Sequence, residues 1–214
     1  MAASTQTRTH DTATARRSDT RDRLLAVAIE MFGSRGYDST SLRDIASAVG
    51  IKPPAVYNHF ESKEQLLGEA VSWMIADFMT CVVTPDDPTA DAMVRLRGLM
   101  TRHVHYQLEK GALARANDLM MESEALRHTM PEDAAARVRR DMRSYIDLLT
   151  DLVAQVRAKG GAGRKATSAR VVAFGIVSMC DRVQTWWRPD GPMTPTQIAD
   201  EFWAFAAEGL GVQA

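Results

Sequence analysis

Apolar residues recur along most of this chain at intervals of three and four, and period-two alternation never persists long enough for a strand. Leu24, Leu25, Val27, Ala28, Met31 and Phe32 define a first helix, which Gly33 and Gly36 bring to an end near Tyr37. Thr40 or Ser41 caps a second helix, with Leu42, Ile45, Ala46 and Val49 turned inward and Gly50 stopping it. A tight Gly50-Ile51-Lys52 connection leads to Pro53 and Pro54, which suit the first turn of a third helix because no amide is needed there. That helix is short and ends at Phe60. Ser62 and Gln65 form a capping box for a fourth helix that runs roughly to Cys81.

Beyond the break at Thr84-Pro85-Asp86-Asp87-Pro88-Thr89 the helical period continues, predicting helices over about 89–110, 112–127, 131–159, 167–188 and 194–210. Pro131 opens one of these, Gly160-Gly161-Ala162-Gly163 ends the long one, and Thr194 with Gln197 is a further capping box. No repeat of fixed period is visible. Residues 1–18 are rich in Thr, Ala and Ser and hold no apolar residue larger than Met1, too little to bury, so a disordered arm is expected there. The predicted fold class is all-α. It comprises the arm (1–18), a three-helix helix-turn-helix DNA-binding domain (19–66) and a helical ligand-binding and dimerisation domain (67–214).

Composition narrows the setting. An apolar fraction of 45% with 25% charged residues is ordinary for a globular protein long enough to bury a real core. Cys81 and Cys180 stand about a hundred residues apart in apolar surroundings, which argues against disulfides and a Cys-rich metal site and for a reducing cytoplasm. The first thirty residues lack the apolar segment of a secretion signal. The longest apolar-looking run, Val171–Cys180, is too short to span a bilayer, so no membrane partner is expected. The net charge of −1 does not announce nucleic acid. Over residues 19–65 six basic residues (Arg21, Arg23, Arg35, Arg43, Lys52, Lys63) face seven acids (Asp19, Asp22, Glu30, Asp38, Asp44, Glu61, Glu64), so any DNA reading must rest on local geometry.

Two short helices joined by a Gly-containing turn outline a helix-turn-helix, whose second helix enters the major groove while the first crosses the backbone. Leu42, Ile45, Ala46, Val49, Ile51, Val56 and Phe60 can form the small core that fixes the angle. Lys52, Ala55, Tyr57, Asn58 and His59 are left for the outer face and the end of the third helix. Thr40, Ser41 and Lys63 sit at helix starts, where hydroxyls, amides and ammonium groups bind phosphate oxygens without a strongly basic surface.

The stretch from Thr40 to Leu67, TSLRDIASAVGIKPPAVYNHFESKEQLL, preceded by MFGSRGYDST, resembles the DNA-binding signature of the tetracycline-repressor-like (TetR) family. The resemblance is strong over about residues 20–70. It implies that Thr40, Ser41, Arg43, Lys52, Tyr57, Asn58, His59 and Lys63 lie against double-stranded DNA. Asn58 and Lys52 are the expected base readers, and Tyr57 a phosphate contact. His59 by itself reads first as a structural residue, and within the family resemblance as one that positions phosphate contacts and does not read bases. The family also implies a homodimer joined through the last two helices of each subunit. The departure is Pro53-Pro54, which removes two amides from the start of the recognition helix. In the arm, Arg8, Arg16 and Arg17 against Asp11 could reach along a groove, or the arm could be a solvated tail.

About two-thirds of the chain lies beyond this head, more than docking requires. One stripe carries Met93, Leu96, Met100, His103 and Gln107; others carry Leu113, Asn117, Met120 and Met121, and Met142, Tyr145, Leu149 and Leu152. Twelve methionines suggest a surface that repacks around a flexible apolar guest, with ordinary core as the alternative. Met100, His103, Gln107, Asn117, Met120, Met121, Met142, Tyr145 and Phe174 are the expected pocket. His103 and Asn117 need polar partners, from protein or ligand. His103 and His105 point about 200° apart on a helix and cannot share an ion, so no metal and no cofactor is expected.

Residues 181–210 offer a second likeness. Trp186-Trp187-Arg188 and the following Pro-Asp-Gly-Pro turn resemble TetR-family regulators of fatty-acid and steroid catabolism, several of which respond to acyl-CoA thioesters. Val172, Met179, Val183, Trp186, Trp187, Ile198, Phe202 and Phe205 are the expected dimer interface, with domain core as the alternative for the aromatics. The leading expectation is a cytoplasmic, ligand-responsive repressor. An effector-independent regulator or activator is the second reading. An all-helical enzyme is the third, but no Gly-rich phosphate loop, zinc-protease or serine-nucleophile motif supports it.

Overall fold

The computed structural model describes residues 6–159 and 167–212. Among them the elements are α1 Gln6–Arg35, α2 Leu42–Val49, α3 Pro53–Val56, α4 Lys63–Phe78, α5 Ala92–Lys110, α6 Ala112–Glu122, α7 Glu124–Thr129, α8 Glu132–Lys159, α9 Ala169–Trp186 and α10 Pro195–Leu210. The described chain contains no strand, in keeping with the all-α expectation.

Two expectations need correction. Helix α1 starts at Gln6, so it occupies most of the stretch read as a disordered arm. No proline interrupts Gln6–Arg35, so a helix nucleated on the apolar residues after Arg23 can extend backward through the Thr-rich start. The remaining arm residues, 1–5, and the Gly160–Gly163 stop lie outside the described residues. The helix expected over 112–127 is broken in two. Ser123 leaves the helical region and its hydroxyl accepts from the Leu126 amide at 3.3 Å, ending α6 and capping α7.

Local chemistry sets the other boundaries. Ser41 and Asp44 form a reciprocal capping box on α2, and Gly50, at φ +78°, closes it by donating to Ala46 and Ser47 carbonyls. Ser62 accepts from the Gln65 amide at 3.0 Å, while the Gln65 side chain turns to the Glu61 amide instead of completing the box. Thr194 and Gln197 complete theirs. Helix α4 runs on into a π-helical turn, Met79–Val83, where the Arg102 Nε donates to the Val82 carbonyl at 2.7 Å.

Among the described residues, the continuous helix over Lys63–Val83, and not Val171–Cys180, is long and apolar enough to cross a bilayer, with a mean hydropathy of 1.5. Its apolarity serves the core instead. Leu66, Leu67, Ala70, Val71, Met74, Ile75, Phe78 and Val82 are all buried. Helix α4 lies between α1 and α8, and α5 packs against α8, α9 and α10. Glycine permits the close approaches. A Cβ on Gly68 would meet the Ala134 Cβ at 2.8 Å, and one on Gly33 would meet the Ala116 Cβ at 2.4 Å. Through Gly33 the reading head is thereby keyed to α6 of the body.

Candidate nucleic-acid interface and ligand cavity

The head is built on Leu24, Leu25, Ile29 and Phe32 of α1, Ile45, Ala46 and Val49 of α2, and Val56 and Phe60 around α3, all buried. Arg23 donates to the Val49 carbonyl at 2.9 Å, and Arg21 bridges Glu69 at 2.8 Å while stacking over Phe60. These contacts hold α2 and α3 at a fixed angle to α1 and α4. Helix α3 is a single turn. The 3.0 Å bond from the Phe60 amide to the Val56 carbonyl and the bond from the His59 amide continue the coil beyond it.

An open groove crosses this surface, lined by Ser41 and Arg43 of α2, Pro53 and Tyr57 around α3, and Ser62 and Lys63 at the start of α4. Tyr57 is 60% exposed. Lys63 lies 3.9 Å over the Tyr37 ring, and Tyr37 donates to Glu64 at 3.0 Å. Burial and the neighbouring Glu64 carboxylate hold the Tyr37 phenol well above its usual range, so it stays a neutral donor. Asp38 and Glu61 also border the groove, so its character is mixed and not plainly basic. Lys52 and Asn58 are exposed outside it, and Ala55 and His59 are half-buried.

Thr40 does not fit the expectation. It is 1% exposed, and its hydroxyl donates to the Gly36 carbonyl at 2.9 Å. A threonine hydroxyl so placed satisfies the carbonyl of the glycine that follows α1 and is not presented to a phosphate. Its neighbour Ser41 remains exposed, with its oxygen engaged in the Asp44 cap.

A cavity of about 310 Å³ opens between α4, α5, α6, α8 and α9. Six of the nine expected pocket residues line it: His103, Gln107, Asn117, Met121, Met142 and Tyr145. Met100 and Met120 are buried in the core away from it, and Phe174 is half exposed on α9, because a helical stripe wide enough for both core and cavity cannot tell the two apart. His105, on the other side of α5, lies 3.4 Å from the Thr196 hydroxyl. Among the described residues no three His, Cys, Asp or Glu side chains converge as metal donors would.

The cavity floor is polar. The Tyr145 hydroxyl lies 3.1 Å from His103 Nδ1, and the Asp181 carboxylate 2.8 Å from Nε2. Asp181, as an acceptor, assigns the proton to Nε2 and leaves Nδ1 to accept from Tyr145. Phe78 meets His103, Tyr106 and Tyr145 edge-on, a ring of aromatic walls. Gln107 also donates to Asp181, at 2.9 Å, and Gln184 donates to Asp118 at 2.8 Å. Burial, reinforced by Asp181 and Glu122, pushes the Asp118 carboxyl up to about 8. Arg115 and Arg182 stand at the exposed rim, where Arg182 pairs with Glu122. Asp118, Asp181 and Gln184 were not foreseen from sequence. The available signal was a carboxylate directly after the apolar run ending at Cys180, on the inward side of its helix.

The expected dimer residues divide. Trp186 and Phe205 are 53% and 71% exposed, and Val171 and Phe174 of α9 are exposed as well. Val172, Met179, Trp187 and Phe202 are half-buried, and the Trp186 and Phe202 rings lie tilted to each other with centroids 6.2 Å apart. Val183 and Ile198 are 0% and 1% exposed within the subunit, where they face α5 and its neighbours, so they cannot form a contact surface. The Trp187 indole donates to the Met193 carbonyl at 2.9 Å and closes the turn before α10.

Comparison with known proteins places this geometry. Residues 24–70 match the model for bacterial regulatory proteins of the tetR family, and residues 89–210, more than half the chain, match the tetracyclin repressor-like C-terminal domain. The transcriptional repressor KstR2 of Mycolicibacterium smegmatis is 25% identical over 198 residues, covering 89% of this chain and 90% of that protein. The transcriptional activator FasR of the same organism is 26% identical over 198 residues, covering 91% and 84%. The crystal structure of AibR in complex with isovaleryl coenzyme A and operator DNA superposes with a TM-score of 0.72 at 25% identity, covering 86% of this chain and 97% of that one. The chain belongs to the TetR family of bacterial transcriptional regulators.

Proposed function

We propose that this protein is a cytoplasmic, ligand-responsive repressor that binds a two-fold operator as a homodimer and releases it when a small apolar effector fills the cavity. The observation that carries this reading is that one helix serves both sites. Helix α6 lines the cavity through Asn117, Asp118 and Met121, and its Ala116 packs directly on Gly33 of α1, which carries the head. A guest that displaces α6 has to move α1 or open that contact. Two heads must meet half-sites a fixed multiple of the helical repeat apart, so a small rotation suffices for release.

Ser41, Arg43, Tyr57 and Lys63 are the proposed phosphate contacts, with Asn58 and Lys52 reading base edges. Pairing through α9 and α10 would cover the exposed apolar side chains Val171, Phe174, Trp186 and Phe205. An acyl-CoA thioester is the proposed effector class. The acyl group would lie among Met74, Ile75, Phe78 and Met142, and the anionic nucleotide end would meet Arg115 and Arg182 at the rim. The likeness to AibR and KstR2 supports this. The likeness to the activator FasR supports a second reading, in which the effector strengthens DNA binding.

The test is a mobility-shift titration on the DNA upstream of the protein's own gene, with and without acyl-CoA thioesters. Release by a thioester supports the repressor, and tightening supports the activator. No affinity for any near-palindromic site at low salt would refute both.

A further inference from the structure

Among the described residues the cavity has a mouth on one side and a closed floor on the other. Its exposed wall residues all belong to α6 and α9: Arg115, Leu119 and Glu122 on the first, Ser178, Arg182 and Thr185 on the second. The walls supplied by α4 and α5 are buried throughout, as Met74, Ile75 and Phe78 and as His103, Tyr106 and Gln107. Tyr145 of α8, also buried, completes the floor. A chain entering between α6 and α9 therefore runs toward α4 and α5 and stops there.

The floor is braced against giving way. His103 is held at both ring nitrogens, by Tyr145 at 3.1 Å and by Asp181 at 2.8 Å, and Gln107 is tied to the same Asp181 at 2.9 Å. Phe78 stands edge-on to His103, Tyr106 and Tyr145, with ring centroids 4.8, 5.2 and 5.1 Å away. Pushing a longer guest through this layer would break bonds between buried polar groups and leave them unpaired. Length is then set by volume. A dry apolar cavity of about 150 Å³ holds benzene, so the roughly 310 Å³ here hold about twelve carbon-sized atoms when filled throughout. The thioester and the start of its pantetheine arm take part of that space at the mouth, which leaves the acyl group about eight carbons.

We infer that the cavity is a blind pocket for an acyl chain of up to about eight carbons, with Phe78 as its end stop, and that it excludes long fatty-acyl chains and a fused steroid skeleton. Phe78 is the largest apolar side chain on the floor, and its ring fills the depth a longer chain would need. Up to that stop each methylene leaves water for Met74, Ile75, Met142 or Val177. Beyond it the chain has to fold back or stay outside. The inference rests on the reading of the cavity as an acyl-CoA site and narrows that effector to short and medium chains.

The test is a calorimetric titration of the intact protein with butanoyl-, octanoyl-, dodecanoyl- and hexadecanoyl-CoA, each below its micelle concentration. Affinity is expected to rise about fourfold per methylene from butanoyl to octanoyl, to gain nothing at dodecanoyl, and to fall at least about tenfold at hexadecanoyl. Phe78→Ala, checked for an unchanged circular-dichroism spectrum, is expected to move the best ligand from octanoyl to dodecanoyl. A wild-type series that keeps tightening to dodecanoyl or hexadecanoyl overturns the inference, as does an unchanged optimum in folded Phe78→Ala. The wild-type series decides the matter even if the variant fails to fold. A mobility shift with the same thioesters separates the two proposals. A cut-off after octanoyl that leaves DNA affinity untouched supports the end stop and refutes the effector role. Release of DNA by hexadecanoyl-CoA at least as readily as by octanoyl-CoA keeps the effector role and overturns the end stop, and binding of no thioester overturns both.

Discussion

Gly33 and Ala116 meet with no room for another atom between them: a methyl group on Gly33 would lie 2.4 Å from the Ala116 Cβ and 2.7 Å from its Cα. One residue belongs to the helix that carries the DNA-reading head, and the other to the helix that walls the cavity.

This contact makes a direct prediction. Gly33→Ala gains helix propensity but overpacks the joint, and overpacking of this kind costs roughly 1–3 kcal/mol. Ala116→Gly in the same chain should restore part of the loss. A double-mutant cycle by urea denaturation measures the coupling. Simple additivity of the two changes would mean that the helices are not in register at these residues.

In the head, Lys63→Ala should weaken binding to all DNA sequences and lower the salt slope by about one ion. Asn58→Ala should instead alter the preference among operator variants. Fluorescence anisotropy over a salt series and a small set of base substitutions distinguishes the two. A uniform loss on replacing Asn58 would assign it to the backbone.

Thr40 gives the opposite outcome. Its hydroxyl is engaged with Gly36, so Thr40→Val should destabilise the fold by about 1 kcal/mol and leave the affinity of folded protein for DNA unchanged. Thermal denaturation together with active-fraction-corrected binding tests this. A loss of affinity with no loss of stability would return Thr40 to the interface.

Asp118 predicts a pH dependence. Its carboxyl is raised from an ordinary 3.8 to about 8, so between those values the folded state holds a proton that the unfolded chain releases. Its contribution to stability is fully present below about pH 4 and is lost as pH rises through about 8. Burial raises the value most, Asp181 and Glu122 add to it, and Arg182 opposes them. Asp118→Asn should therefore flatten the fall in melting temperature between about pH 4 and pH 8. An identical slope in both proteins would place the titration elsewhere.

On α9 and α10, exposure separates two kinds of variant. Phe205→Glu should yield a folded monomer in sedimentation, because that side chain is 71% exposed in the subunit. Ile198→Ala, in the core, should lower stability by roughly 2–5 kcal/mol wherever the protein is assembled. A dimer unaffected by Phe205→Glu would move the interface off this face.

Much of this was legible in residue order. Gly50, Thr194 with Gln197, and Pro53 act through bonds a few residues long, so their positions mark helix ends whatever surrounds them, and the same reasoning put the cap of α2 at Thr40 or Ser41. Ser123 was missed for the complementary reason: a serine inside a helical period caps only if the chain turns there, and that turn depends on the packing beneath it. Met100 and Met142 show the same boundary. Both fall on inward stripes, yet Met100 fills the core and Met142 faces the cavity, because periodicity gives a direction and not the distance to the next helix.

What the sequence determined by itself is therefore the local and periodic part: an all-helical chain, a helix-turn-helix with its core, and the motif that marks the family. Tertiary structure alone decided which polar groups turn inward, as Thr40 does, and which acids gather from α6 and α9 around His103. It also decided which apolar residues on α9 and α10 stay uncovered. The physical reason is range. Capping and amphipathic period are set within one or two turns, whereas a carboxyl raised by burial and its neighbours or a glycine pressed on an alanine exists only once segments distant in sequence have been brought into contact.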